Sequence, residues 1–275
     1  MTGQIIKNVY DVHPLIHCIT NYVSMNDCAN ILLACGGAAI MAEDIHEVEE
    51  ITSLCNGLTL NMGMLTEAKC ASMILAGQRA NALGHPVVLD PVGVGSSTFR
   101  REAGEEILQH VRCNIIRGNV SEIKTLAFGS KASQGVEADK TDQITRENLE
   151  QSAACARALA QRTGAVIVMT GAVDLVSDAT TTYAVRNGHP MMRRVTGTGC
   201  QLSALTTAYV AANRENILEA AMTAVCAMGI AGETAYRRMD RQDGNASYRN
   251  YIIDAICHME DAKIRQEGNV QKIES

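Results

Sequence analysis

Tryptophan is absent from the 275-residue chain, and with two Phe and seven Tyr the aromatic share is only 3%. So small an aromatic stock removes the stacking platforms on which single-strand nucleic-acid binders depend. Positive charge is also in deficit. The 24 Lys and Arg face 30 Asp and Glu, net −6, leaving no basic excess for tracking a phosphodiester backbone, so no nucleic-acid partner is expected. The longest apolar runs, near 31–42 and 220–232, contain glycine and read as too short to cross a bilayer. The opening MTGQIIKNVYDVHP has no basic stretch followed by an apolar core. No membrane association is therefore expected, and the expected location is cytoplasmic.

Other absences narrow the chemistry. Ten cysteines are scattered among apolar segments without a Cys-x-x-Cys pair, so they read as reduced, mostly buried thiols. There is no Gly-x-x-x-x-Gly-Lys-Ser/Thr, which excludes a P-loop, and GVGSST (93–98) lacks the last glycine of a dinucleotide fingerprint. Protein-kinase motifs are missing as well. Without low-complexity linkers or a fixed-period repeat, one domain over residues 1–275 is the expected organisation.

What is present is an alternation of short apolar runs with helix-length segments. GLTLNMG (57–63) precedes a helix expected over 66–83, and HPVVLDPVG (85–93) precedes another over 98–111. CNIIRGN (113–119) leads into VSEIKTLAF, while AVIVMTG (165–171) follows a helix expected over 145–162. Such alternation predicts an α/β fold with a central, mostly parallel sheet flanked by helices on both faces. From 172 to 195 the pattern becomes strand, turn, strand, with Asn187-Gly188 as the hairpin signal. Beyond Gly199 helices are expected over 200–213, 216–237 and 247–265, before a polar tail, RQEGNVQKIES, that should fray.

Ligands of open α/β sheets collect at the carboxyl ends of parallel strands. Residues at those positions include Asn61 and Gly63, Asp90 and Pro91, Arg117 to Asn119, and Thr170 and Gly171. In RGNVSE, Asn119 and Glu122 stand three apart, on one side of an opening helical turn. That spacing fits a carboxylate holding Mg²⁺ through water with Arg117 on phosphate oxygens, and equally a helix-capping box. In RVTGTGCQ (194–201), Gly197 and Gly199 free the backbone to converge amides on an anion, at the positive end of the helix that follows. Cys200 is then either a small residue filling a tight helix start or a hydrogen-bond partner for a substrate hydroxyl. No histidine can be tied to it; His13, His17, His46, His85, His110, His189 and His258 read as surface or structural residues.

The segments HCITNYVSMNDCANILLACGGAAIMAED, LNMGML, VVLDPVGVGSS, IIRGNVSEI, VMTGAVD and VTGTGCQLSAL, in that order over roughly residues 10 to 262, resemble hydroxyethylthiazole kinase of the ribokinase-like superfamily. The resemblance implies phosphorylation of 4-methyl-5-(2-hydroxyethyl)thiazole by ATP in thiamine salvage, and a homotrimer with sites at subunit interfaces. It places Arg117, Thr170 and Asn119 at ATP, Met41 and Gly197 at the thiazole, and Asp90 and Glu122 at Mg²⁺ and the phosphates. Asn21 and Val23 match a segment lining the thiazole pocket of a neighbouring subunit. Cys200, with Gly197 and Gly199, stands where the superfamily usually carries Gly-x-Gly-Asp. Alternatives are a hydroxymethylpyrimidine-type kinase, a non-catalytic sensor of ATP and thiazole, and a repair dehydratase for hydrated nicotinamide cofactors.

Overall fold

The computed structural model describes residues 3–129, 144 and 148–273. Nine strands form one sheet: β1 (Leu15–Ile19), β2 (Ala38–Ile40), β3 (Gly57–Asn61), β4 (Val87–Asp90), β5 (Ile115–Asn119), β6 (Val166–Thr170), β7 (Asp174–Ser177), β8 (Thr182–Val185) and β9 (Val270–Ile273). Their spatial order is β2-β1-β3-β4-β5-β6-β7-β8-β9, parallel through β6 and antiparallel from β6 to β9. The apolar runs at β3 and β4 are buried at every position, as strands covered on both faces must be.

The helices are α1 (Ile5–Val12), α2 (Met25–Ala34), α3 (Val48–Leu54), α4 (Glu67–Leu83), α5 (Thr98–His110), α6 (Val120–Phe128), α7 (Leu149–Thr163), α8 (Thr198–Ala211), α9 (Ile217–Arg238), α10 (Asn245–Cys257) and α11 (Asp261–Glu267). Alternate strand residues feed two cores. Val166 and Val168 join the one shared with α1, α2, α8, α9 and α10, and Ile167 and Met169 the one shared with α4, α5, α6 and α7. Eight of the ten free cysteines are buried, leaving Cys200 half-buried and Cys257 exposed.

Several expectations are corrected. The hairpin turns at 178–181 rather than at Asn187-Gly188, because the Asp178 carboxylate accepts the Thr180 and Thr181 amides, both at 2.7 Å. Asn187-Gly188 is used in tertiary packing: the Asn187 side chain donates to the Glu267 carbonyl (3.0 Å), and the Gly188 amide to Glu233 (2.8 Å). The tail does not fray over its described part; β9 covers the edge that β8 would otherwise expose. The helix expected over 247–265 is two, because Asp261 turns to accept the Ile6 and Lys7 amides (3.0 Å each) at the open start of α1. The helix expected from 145 begins at Leu149, with 145–147 outside the described residues, and α8 starts at Thr198, two residues early. Arg214–Arg238 is long and apolar enough to span a bilayer, contrary to expectation, yet 72% of its apolar window is buried inside the protein.

Candidate active site

Pleat alternation decides which strand side chains meet α8. On the face α8 covers, Thr59, Asn61, Asp90 and Arg117 all point at it. The helix answers with a polar stripe at Cys200, Ser203 and Thr207, spaced i, i+3, i+7. Thr59 and Thr207 hydroxyls lie 2.7 Å apart, the Ser203 hydroxyl donates to Asp90 (2.8 Å), and the Asn61 amide donates to Cys200 Sγ (3.3 Å). The register sets Asn61 beside Asp90, and Asn119 beside Thr170.

Asp90 is fully buried. Burial pushes its carboxyl above the usual range; Arg117 opposes this, Glu122 adds to it, and the Ser203 and Asn61 donors hold it down. Arg117 reaches Asp90 at 3.5 Å and donates to the Thr170 hydroxyl at 2.9 Å, while its Nε is buried without a partner. Gly199 is what admits this guanidinium. A Cβ there would lie 2.5 Å from Nη1 and 2.7 Å from Nη2. Gly197, at φ +83°, is the N-cap of α8, and a Cβ on it would stand 2.8 Å from Ser24 Cβ. The arginine and the free amides of the helix start therefore face the same space, both favouring an anion.

Cys200 lies on the other side of that helix start. Its sulfur accepts from Asn21 Nδ2 and Asn61 Nδ2, both at 3.3 Å. Neither amide is free to turn over. Asn21 Oδ1 takes the Ser24 amide (3.1 Å) and Asn61 Oδ1 the Gly63 amide (2.9 Å), which aims both NH₂ groups at the sulfur.

A cavity of about 600 Å³ opens beside the helix start, lined by Arg117, Asn119, Thr170, Asp174, His189 and Thr198 among others. Burial raises the Asp174 carboxyl to about 6, against the Gly171 amide and Arg117. A larger cavity, about 860 Å³, lies at the opposite ends of the strands around Val111, Cys113 and Arg162, away from these polar groups.

The structure thus gathers Asn21, Asp90, Arg117, Thr170, Gly197, Gly199 and Cys200. Met41 follows β2, half-buried against the α8-side core, and Val23 stands apart at 65% exposed. Asn119 and Glu122 form the capping box of α6, with both partner bonds at 2.8 Å; the second Glu122 oxygen takes the Gly93 amide at 2.9 Å. With both oxygens committed there, Glu122 bears on Asp90 through its charge alone. Sequence reasoning passed over Ser203, whose signal was its i+3 spacing from Cys200. It also passed over Asp174; His189, read as surface or structural, accepts the Met191 amide (3.2 Å) and stacks on Tyr236, and it also lines the cavity. His17 is the buried structural residue expected, held by Thr52 and the Ala42 carbonyl at 2.9 Å each.

Known proteins share this chain's sequence and fold. The profile of the Hydroxyethylthiazole kinase family covers residues 6–262. The chain belongs to that family. A hydroxyethylthiazole kinase of Clostridium acetobutylicum is 52% identical over 264 residues, 96% of this chain and 97% of that one. The solved hydroxyethylthiazole kinase protein of Pyrococcus horikoshii superposes with a TM-score of 0.86 at 36% identity, covering 98% of each chain. At 16% identity, the Staphylococcus aureus pyridoxal kinase solved with ADP shares the fold (TM-score 0.64, 94% of this chain and 98% of that chain).

Proposed function

We propose that this hydroxyethylthiazole kinase family member transfers the terminal phosphoryl group of ATP to the hydroxyl of 4-methyl-5-(2-hydroxyethyl)thiazole, as one ribokinase-like domain acting in the cytoplasm. The observation that carries this reading is the convergence of Arg117 and the open amides of α8 on one space, with Cys200 beside it. Phosphoryl transfer asks a protein mainly for alignment and for charge placed where the transition state develops it.

In this reading ATP occupies the 600 Å³ cavity, with Arg117 and Thr170 on its phosphates and Asn119 at its wall. Gly197 and Gly199 keep the helix start open to the moving phosphoryl group. Met41, Gly197 and Asn21 face the thiazole. Cys200, already an acceptor for two amides, receives the substrate hydroxyl as a further donor and orients it. Among the described residues no group of three or more His, Cys, Asp or Glu forms a metal cage. Asp90 and Glu122, whose oxygens already accept from Asn61, Ser203 and the Gly93 and Asn119 amides, would hold Mg²⁺ through water, with the phosphates as its main ligands. When bound, the ion neutralises charge on the phosphates. Asn21, expected at a neighbour's pocket, is instead buried against Cys200 of its own chain, whereas Tyr22 and Val23, 60% and 65% exposed, are free to meet another chain, which supports a homotrimer in which Val23 completes a neighbour's thiazole pocket.

The test is ADP release from Mg·ATP with the thiazole alcohol or hydroxymethylpyrimidine offered separately, together with the sedimentation mass. Thiazole-dependent turnover by a species of three chains is expected. Turnover with the pyrimidine alone, or thiazole and ATP binding without ADP release, would overturn the reading.

A further inference from the structure

Asn61 makes a junction that the proposed chemistry above does not use. Its NH₂ group donates to Asp90 Oδ2 at 2.9 Å and to Cys200 Sγ at 3.3 Å, while its Oδ1 takes both the Gly63 amide (2.9 Å) and the Asn21 NH₂ (3.0 Å). It is 1% exposed, so water cannot replace these bonds. We propose that Asn61 is a positioning residue that holds the Cys200 sulfur as a hydrogen-bond acceptor toward the substrate and ties it to the Asp90 carboxylate on the phosphate side. The backbone builds this device. Register places Asn61 beside Asp90, and pleat alternation turns both toward α8, where Cys200 and Ser203 lie one turn apart. The other charged or titratable groups facing this corner are Arg117, from β5 against Asp90, Glu122, from α6 acting on Asp90 through its charge, and Cys28, from α2 near Cys200.

The proposal rests on Cys200 as the acceptor-side group, so its test does not require turnover. The apoprotein is treated with iodoacetamide, and alkylation is followed at Cys200 and at exposed Cys257 by peptide mass spectrometry. Asn61→Leu keeps the side-chain bulk and removes both donors. Because the sulfur anion is the reacting species, losing one donor should slow alkylation of Cys200 about three- to tenfold while Cys257 reacts at its parental rate. Asn21→Leu removes the other donor without touching Asp90, should slow Cys200 similarly, and serves if Asn61→Leu fails to fold. Parental or faster alkylation of Cys200 in each folded variant overturns the proposal. A turnover cycle reads the tie itself: Asn61→Leu should lower kcat in the parent and lower it by less in a Cys200→Ala background, where only its bond to Asp90 is left to lose. A full additional loss there would mean that Asn61 acts without the sulfur. Slowed alkylation in a protein inactive toward the thiazole would uphold the positioning role and reject only the proposed reaction.

Discussion

Replacing Gly199 with alanine separates the catalytic reading from a packing one. The new methyl would stand 2.5 Å from Arg117 Nη1, 2.7 Å from Nη2 and 2.9 Å from Cζ. Ordinary van der Waals separation requires the guanidinium to withdraw by about 1 Å. Its 2.9 Å bond to Thr170 and its 3.5 Å approach to Asp90 would not survive that withdrawal. Two factors limit the stability cost without cancelling it. The displaced group is the mobile end of a long side chain, and Gly199 lies outside the left-handed region, so alanine gains up to about 1 kcal/mol of helix propensity. The bond lost to Thr170 has a charged donor and costs more, about 1.5–3 kcal/mol, so a net loss of about 1–2 kcal/mol is expected. Catalysis should instead lose a preorganised donor at the phosphoryl group, lowering kcat about 10²–10³-fold. Urea unfolding and ADP release on the same preparation check both halves. Parental turnover by a folded Gly199→Ala protein would refute the role given to Arg117, and a large loss of stability would refute the steric argument.

Asp174→Asn tests the half-buried carboxyl at the cavity wall. A folded pKa of about 6, above the unfolded value, means that the stability this group contributes is full below pH 4 and is lost as pH rises through 6. Because an asparagine oxygen still accepts the Gly171 amide, the variant should melt higher than the parent at pH 7.5 and by much less at pH 4.5; an equal difference at both pH values would contradict this. Asn119→Ala should cost about 1 kcal/mol in urea unfolding through loss of the α6 capping box. A raised KM for ATP in that variant would support its place at the nucleotide, and an unchanged KM would leave it a cap alone.

The fold was legible where patterns were strong. The apolar runs at 57–61, 87–90, 115–119 and 166–170 announced parallel strands, and the order of strands and helices implied the two-faced sheet. β2 has only three residues, and β1, LIHCI, has its apolar run interrupted by His17, so Asn21 and Met41 came into view only through family resemblance. Local chemistry misled at Asn187-Gly188. Its turn propensity yielded to Glu233 and the Glu267 carbonyl, groups 45 and 80 residues away in sequence.

The chain's order of residues determined its secondary elements, its class and the glycines of the α8 start, because those depend on spacing and intrinsic backbone freedom. Sequence spacing alone could not show that Asn61, Asp90, Arg117 and Cys200 share one corner. Their separations run from 27 to 139 residues, as for Asp90 with Arg117 and Asn61 with Cys200. Only strand register and pleat direction, set when the sheet closes against α8, bring them within hydrogen-bonding reach.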